Sequence, residues 1–195
     1  ARSFVTKIWN ASRFLLMNME GYTPGAPVAE TAADAWMFSR LAKASRSVTE
    51  GIEQYTFGEM ARGVQTFFWN EVCDWYIEIT KGRLNDESTR LQAQRNLIFV
   101  LDAALRLMHP LMPFVTEAIW DTMPASWLDV DPATGEASRA EALIVAAWPE
   151  PDALAQYVDE DAERSFELLR TVVTAARSTR ARYRLSPREE LDLVV

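Results

Sequence analysis

Lys7, Asn10, Arg13, Phe14 and Met17 share one side of a helix when the stretch "KIWNASRFLLMNME" is wound at about 100° per residue. That side offers two cations, an amide, an aromatic ring and a thioether, a set suited to holding a ligand. A face turned only to solvent would have no use for Phe14 and Met17. Two arrangements account for them: a second neighbouring helix covers both, since aromatics at helical spacing are usually core, or the side is a binding face. The other side, with Phe4, Val5, Ile8, Ala11, Ser12, Leu15, Leu16 and Met19, is an apolar stripe to be buried against a neighbour.

A second set lies near the other end. From Arg170 through "RTVVTAARSTRARYRLSPR" the chain carries arginines and no acid. On a helix Arg170, Arg177, Arg180 and Arg184 fall on one side, with Phe166, Leu169, Val173 and Ala176 largely on another. Such a stripe is either a solvated face or a row of phosphate contacts.

Residues for bond-making chemistry are missing. The one histidine, His109, and the one cysteine, Cys73, are far apart in sequence, so a Cys–His or Ser–His–Asp arrangement and the usual zinc ligand sets are not expected. No glycine-rich phosphate loop is present. His109, before Pro110 at a helix end, reads as a capping or packing residue, and Cys73 as a small buried hydrophobe. Asp74 and Glu78, four apart on one helix face, read as solvent-facing acids or partners of a nearby arginine. Phe67, Phe68, Trp69, Trp75 and Tyr76 read as core.

The elements that must position these residues are helices. The first is predicted from about Ser3 to Glu20, stopping at Gly21 before the loop "GYTPGAPVAE". Thr31 with Asp34, and Thr56 with Glu59, read as capping boxes that open a second helix to about Gln54 and a long third helix to about Lys81. After the turn "LNDESTR", a fourth helix runs from about Leu91 to His109, and Pro113 opens a fifth, "FVTEAIWDTM". "PATGEASRAE" is the expected flexible loop, and "ALIVAAWPEP" an extended strip on the surface. A sixth helix is predicted over about Asp159 to Tyr183, and "LDLVV" at the end reads as a strand.

The fold class is therefore all-α, an antiparallel helical bundle over 1–150, with a small extension over 151–195 made of a helix and a terminal strand. A chain of 195 residues with 49% hydrophobic residues can bury one sizeable core without a disulfide or metal staple. No run approaches the roughly 20 apolar residues that span a bilayer, and no signal pattern opens the chain, so a cytoplasmic protein is expected. A formal charge of −8 argues against nucleic-acid binding by bulk electrostatics alone and leaves only locally basic faces.

Four strings occur together in order: "FVTKIWNASRFLLMN" at 4–18, "FFWNEVCDWYIEITK" at 67–81, "LMHPLMPFVTEAIW" at 107–120 and "AAWPEPD" at 146–152. They resemble the anticodon-binding domain of the class I valyl-tRNA synthetases. The "MHPLMPFVTEAIW" block is similar to one shared by the valine, isoleucine and leucine enzymes, whereas "KIWNASRF" and "CDWYIE" resemble the valine enzyme specifically. The resemblance implies a bundle that binds the anticodon stem and loop of valine tRNA, with residues 151–195 beginning the segment that leads to a coiled coil. It implies as partners the tRNA and the catalytic domain of the same polypeptide, in a monomer. It implies no cofactor here and ATP for the parent enzyme, because the His-x-Gly-His and Lys-Met-Ser-Lys-Ser signatures of the catalytic domain are absent from this sequence. With it, Phe14 becomes a stacking platform, Asn10 a base-edge reader, and Lys7 and Arg13 phosphate or base contacts. Met17 shares that face, and Arg177, Arg180 and Arg184 are the candidate phosphate contacts. The alternatives are an isoleucine or leucine enzyme of the same subclass, or a helical protein-interaction module with Phe14 and Met17 as its hot spot.

Overall fold

Thr31 opens the helix around which the others are arranged. Its hydroxyl accepts the Asp34 N–H at 3.1 Å and the Asp34 carboxylate accepts the Thr31 N–H at 3.1 Å, so this capping box forms. The computed structural model describes residues 2–127 and 140–184. In it α2 (Ala32–Glu53) is surrounded by α3 (Phe57–Thr66), a π-helical segment (Phe67–Tyr76), α5 (Arg90–Met108), α7 (Pro151–Leu154) and α8 (Glu160–Arg182). α1 (Arg2–Met17), α4 (Ile77–Leu84) and α6 (Pro113–Trp120) complete the bundle through α5 and the π segment. No strand occurs among the described residues, in keeping with the all-α expectation. The strand expected at 191–195 and most of the loop "PATGEASRAE" lie outside them. One core runs through the bundle, with Ile8, Leu15, Met37, Phe38, Phe68, Tyr76, Leu97, Leu101, Leu105 and Trp120 almost fully buried. At about 1.5–3 kcal/mol for each large apolar side chain, that core can hold the chain together without a covalent staple.

α1 ends at Met17, earlier than its apolar pattern predicts. Side chains capture one carbonyl of its last turn and two of the residues just beyond it. Asn18 Nδ2 donates to the Phe14 carbonyl at 2.7 Å, and the buried Gln94 donates to the carbonyls of Asn18 at 2.8 Å and Glu20 at 3.0 Å. Gly21, at φ +73°, then makes the turn. The loop that follows is clamped to α5: Asn96 bonds both the N–H and the carbonyl of Val28, and Arg95 Nε donates to the Thr23 carbonyl.

The predicted third helix is continuous but not uniform. Right-handed backbone persists through Phe67 and Ile77, yet the middle winds as a π-helix, with the Ile77 N–H bonded to Val72 five residues back. The expected Thr56–Glu59 capping box does not form. Tyr55 turns sharply at φ 57°, and the Thr56 N–H remains bonded to Gly51 at 2.9 Å. Thr56 is thereby held at φ −88°, ψ 51°, unlike Thr31 at −127°, 159°, and its hydroxyl makes no cap bond.

The strip after residue 141 lies on the surface as expected, begun by a 3₁₀ turn at Leu143–Val145. Arg106 Nη1 donates to the Ala147 carbonyl at 2.8 Å, Trp148 Nε1 to Thr49 Oγ1 at 2.8 Å, and Ser45 bonds the Pro149 carbonyl. α7 and α8 then pack directly on α2, so the predicted division at residue 150 falls beside a continuous layer of contacts. Asp159 caps α8 by accepting the Ala162 N–H at 2.8 Å.

Candidate nucleic-acid interface

α1 divides into an inner stripe and an outer face, and the two halves of the prediction fare differently. Phe4, Ile8, Ser12, Leu15 and Met19 are buried as expected, whereas Val5 is exposed. On the outer side Asn10 and Arg13 are exposed and Met17 is 71% exposed. Neither Asn10 nor Arg13 has a side-chain partner among the described residues. Phe14 is half-buried, one part of its ring packed against the core and Lys81 Nζ lying 5.2 Å from its centroid. The alternatives of core and binding face thus split between neighbours: Met17 is uncovered, and Phe14 is half-buried against the core with Lys81 over its ring.

Lys7 is placed differently from the free cation its sequence suggests. Its ammonium is 2.8 Å from Asp74 and 5.3 Å from the centroid of Trp69. The hydrogen bond to Asp74 holds its pKa above the ordinary lysine value, against the opposing effect of burial. Asp74 and Glu78 are matched by lysines, Lys7 and Lys81, and no arginine pairs with either in the described ion pairs.

α8 places two of its arginines against a ring of the bundle, which its sequence does not predict. Phe166 stacks on Trp36 at 3.9 Å, and Trp75 meets Phe166 edge-on at 6.1 Å. Beyond that cluster the guanidinium groups of Arg170 and Arg177 each lie 5.4 Å from the Trp75 centroid. Leu169, expected beside Phe166 on the apolar side, is 47% exposed instead. Arg180 is half-buried on the same inner side. Arg184 is not on the helix: α8 ends at Arg182, Tyr183 caps it, and Arg184 sits at φ 54°. Lys7 and Arg177 line one depression together, but Asp74 and Glu78 line it too, which makes it a mixed-charge seam and a poor cradle for a phosphate.

The base of α8 is fixed by charge. Arg40 grips Glu71 with two bonds, at 2.9 and 3.0 Å, and reaches Glu163 at 3.3 Å, while Lys43 reaches Glu163 at 2.9 Å and Ser39 also bonds it. Burial works to raise the Glu163 pKa, but bonds from Ser39 and Lys43 and the nearby Arg40 and Lys43 charges outweigh it and hold it below the ordinary glutamate value.

The single cysteine and the single histidine are both buried. Burial pushes the Cys73 thiol up to about 12, leaving it an unionised hydrophobe at neutral pH. His109 is buried in a packing role, its Nδ1 2.9 Å from Thr116 Oγ1. Among the described residues no three of His, Cys, Asp or Glu converge as a metal site, and no helix is long and apolar enough to cross a membrane. Two residues that border the outer face were not legible as such: Trp9, 46% exposed beside Arg13, and Lys81, which arrives over Phe14 from α4. Trp9 could have been suspected from its large ring outside the apolar stripe. Lys81 is distant in sequence and left no comparable signal.

Residues 34–195 match the family described as the anticodon-binding domain of tRNA ligase. Among curated proteins, the chain is 40% identical over 206 residues to the valine–tRNA ligase of Symbiobacterium thermophilum, a match covering 100% of the chain and 22% of that protein. It is 39% identical over 200 residues to the valine–tRNA ligase of Rhodopirellula baltica, covering 100% and 19%. Against that of Thermotoga maritima it is 38% identical over 194 residues, covering 100% and 21%. The chain spans about a fifth of the length of these relatives.

Proposed function

This chain belongs to the anticodon-binding domain family of the tRNA ligases, and from that premise we propose that its α1 outer face reads the anticodon loop of valine tRNA within a valine–tRNA ligase. The observation that carries the assignment is the set Asn10, Arg13 and Met17, exposed and unengaged beside the anchored ring of Phe14. Unstacked loop bases are recognised by stacking on aromatic faces and by hydrogen bonds along their edges. Phe14 supplies the stacking face, Asn10 the edge-reading amide, Arg13 a phosphate contact and Met17 an apolar neighbour for a base. Lys7 fixes the π segment against α1 through Asp74 and lends positive charge to the rim. Arg177, already over Trp75, is assigned to packing; Arg180 on α8 and Arg184 just beyond its end are the candidates for backbone phosphates. Valine is favoured over isoleucine or leucine by the valine–tRNA ligases that match the whole chain, the three above among them. Ligation of valine with ATP belongs to the catalytic domain of a longer cytoplasmic polypeptide, active as a monomer, to which this bundle contributes RNA recognition.

The test is filter binding of valine tRNA against the same tRNA carrying a different anticodon. Tighter binding of the matched anticodon is expected, with affinity falling as salt rises. Equal affinity for the two would overturn the reading.

A further inference from the structure

The far end of α8 is unlike its base. From Ser178 to Arg184 every residue but Arg180 is exposed, and Tyr183, which caps the helix, is 66% exposed. Between Leu168 and Arg184 the chain carries Arg170, Arg177, Arg180, Arg182 and Arg184 and no acid, in a protein of net charge −8. The Arg182 guanidinium lies 6.0 Å from the Tyr183 centroid, and neither Arg182 nor Arg184 makes an ion pair among the described residues. Arg184 follows at φ 54°, its N–H donating to the Ala181 carbonyl at 3.2 Å. A helix end ordinarily gives that left-handed position to glycine, because any other side chain is strained there. Stability alone would favour glycine, so an exposed arginine kept at this position points to a use for its charge. The open ring, the unpaired cations and the strained arginine are separate observations that suit one occupant, a polyanion with planar faces.

We propose that the tip of α8 is a second RNA contact, where an unpaired base of the loop stacks on Tyr183 and Arg182 and Arg184 hold the phosphates beside it. It rests on the anticodon-loop reading above and adds a site and two residues, Tyr183 and Arg182, to it. An aromatic plane flanked by cations is the arrangement that holds single-stranded nucleic acid, because every base has a face to stack and every nucleotide a phosphate to pair. The location agrees with the face on α1. Lys7 of α1 and Arg177 of α8 line one depression, so the two helices meet there. At about 1.5 Å per residue, Phe14 stands about 10 Å from that seam along α1, and Tyr183 about 9 Å from it along α8. A single RNA loop crossing the seam reaches both rings with different bases. Asp74 and Glu78, the acids at the seam, are already matched by Lys7 and Lys81, so they oppose a crossing phosphate weakly.

The test uses the 195-residue chain and anticodon stem-loops of valine tRNA, one intact and others each lacking one loop base at an abasic nucleotide. Tyr183→Leu should weaken binding of the intact stem-loop by roughly 5- to 150-fold, the range for losing one base–aromatic stack, with the melting temperature held. Tyr183→Phe, which keeps the ring, should bind as the wild type does. The Tyr183→Leu loss should vanish for a single abasic position, different from the position that silences Phe14→Ala. Arg184→Gly should hold or raise the melting temperature, because glycine relieves the left-handed backbone, yet weaken binding and lower the slope of log affinity against log salt by about 0.7. Intact stem-loop bound by Tyr183→Leu as tightly as by the wild type would overturn the site at the tip and leave the Phe14 reading standing. An equal Tyr183→Leu loss for every abasic stem-loop would do the same, since the ring would then meet something other than a base. Wild-type protein that binds intact and anticodon-swapped stem-loops alike would overturn both.

Discussion

α1 and α8 each carry arginines next to large apolar side chains, and the bundle uses them in opposite ways. On α8 a buried Phe166 sits between Trp36 and Trp75, and Arg170 and Arg177 close over Trp75, so charge and ring are joined within the chain. On α1 Arg13 and Asn10 stay exposed and unengaged, while Trp9 and Met17 remain open to solvent. The difference comes from what each helix crosses. α8 lies across the π segment, which projects Trp75 toward it; on the outer side of α1 only Phe14 is met by a neighbour, Lys81 of α4, and Asn10, Arg13 and Met17 stay exposed. A cation already stacked on a ring gains less from a phosphate than a solvated one, so Arg13 is the better phosphate contact than Arg170, Arg177 or the paired Lys7.

The largest effect should separate stability from recognition. Phe166→Ala removes a buried ring at the centre of the α8 contact and should cost about 3–5 kcal/mol in chemical unfolding. Once folded, the variant should bind matched valine tRNA within about two-fold of the wild type, as expected if α1 is the reader. A binding loss that follows the loss of stability under fully folded conditions would break the comparison. On the opposite helix, Phe14→Ala should cost about 1–3 kcal/mol of tRNA binding. Because the ring is only half-buried, its stability loss should fall below the 3–5 kcal/mol of a core phenylalanine. Melting and binding measured on one sample decide it: a full core-sized loss with unchanged binding would return Phe14 to the interior.

Two arginines sharpen the contrast at smaller magnitude. Arg177→Gln should lower stability by about 0.5–1 kcal/mol, the worth of an exposed cation–π contact, and leave the salt dependence of binding unchanged. Arg13→Gln should leave stability unchanged and reduce the slope of log affinity against log salt by about 0.7, one single-strand phosphate contact. The reverse pattern would make α8 the phosphate-facing helix.

The smallest expected change concerns acid. Glu163 faces Ser39, Arg40 and Lys43 from α2, with Glu71 sharing Arg40 and Glu160 sharing Lys43. Its folded pKa is depressed, so its contribution is present above the ordinary carboxylate value of about 4.3 and is lost as pH falls through the lower folded value. Thermal melts of the wild type should therefore fall more steeply below about pH 4 than those of Glu163→Gln. Parallel curves would show that the clamp at the base of α8 does not depend on this charge.

The sequence by itself determined the helices, their order and the inner stripe of α1, because helical periodicity and capping act within a few residues of chain. Thr31 with Asp34 is a complete local signal and forms its box; Thr56 with Glu59 carries the same letters and fails, because Tyr55 and Gly51 fix its backbone first. The family was legible as well, since four strings in order preserve a pattern along nearly the whole chain. Only the tertiary structure decided which cations are engaged and which are free. Lys7 and Arg13 lie on one predicted face, yet Asp74 and Trp69 claim the first and leave the second. Arg177 looked free until Trp75 was placed beneath it, and Phe14 looked either buried or open until Lys81 and the core held one part of it. A long side chain chooses its partner among elements distant in sequence, so its role is set by which helix crosses it, and helical periodicity carries no record of that crossing.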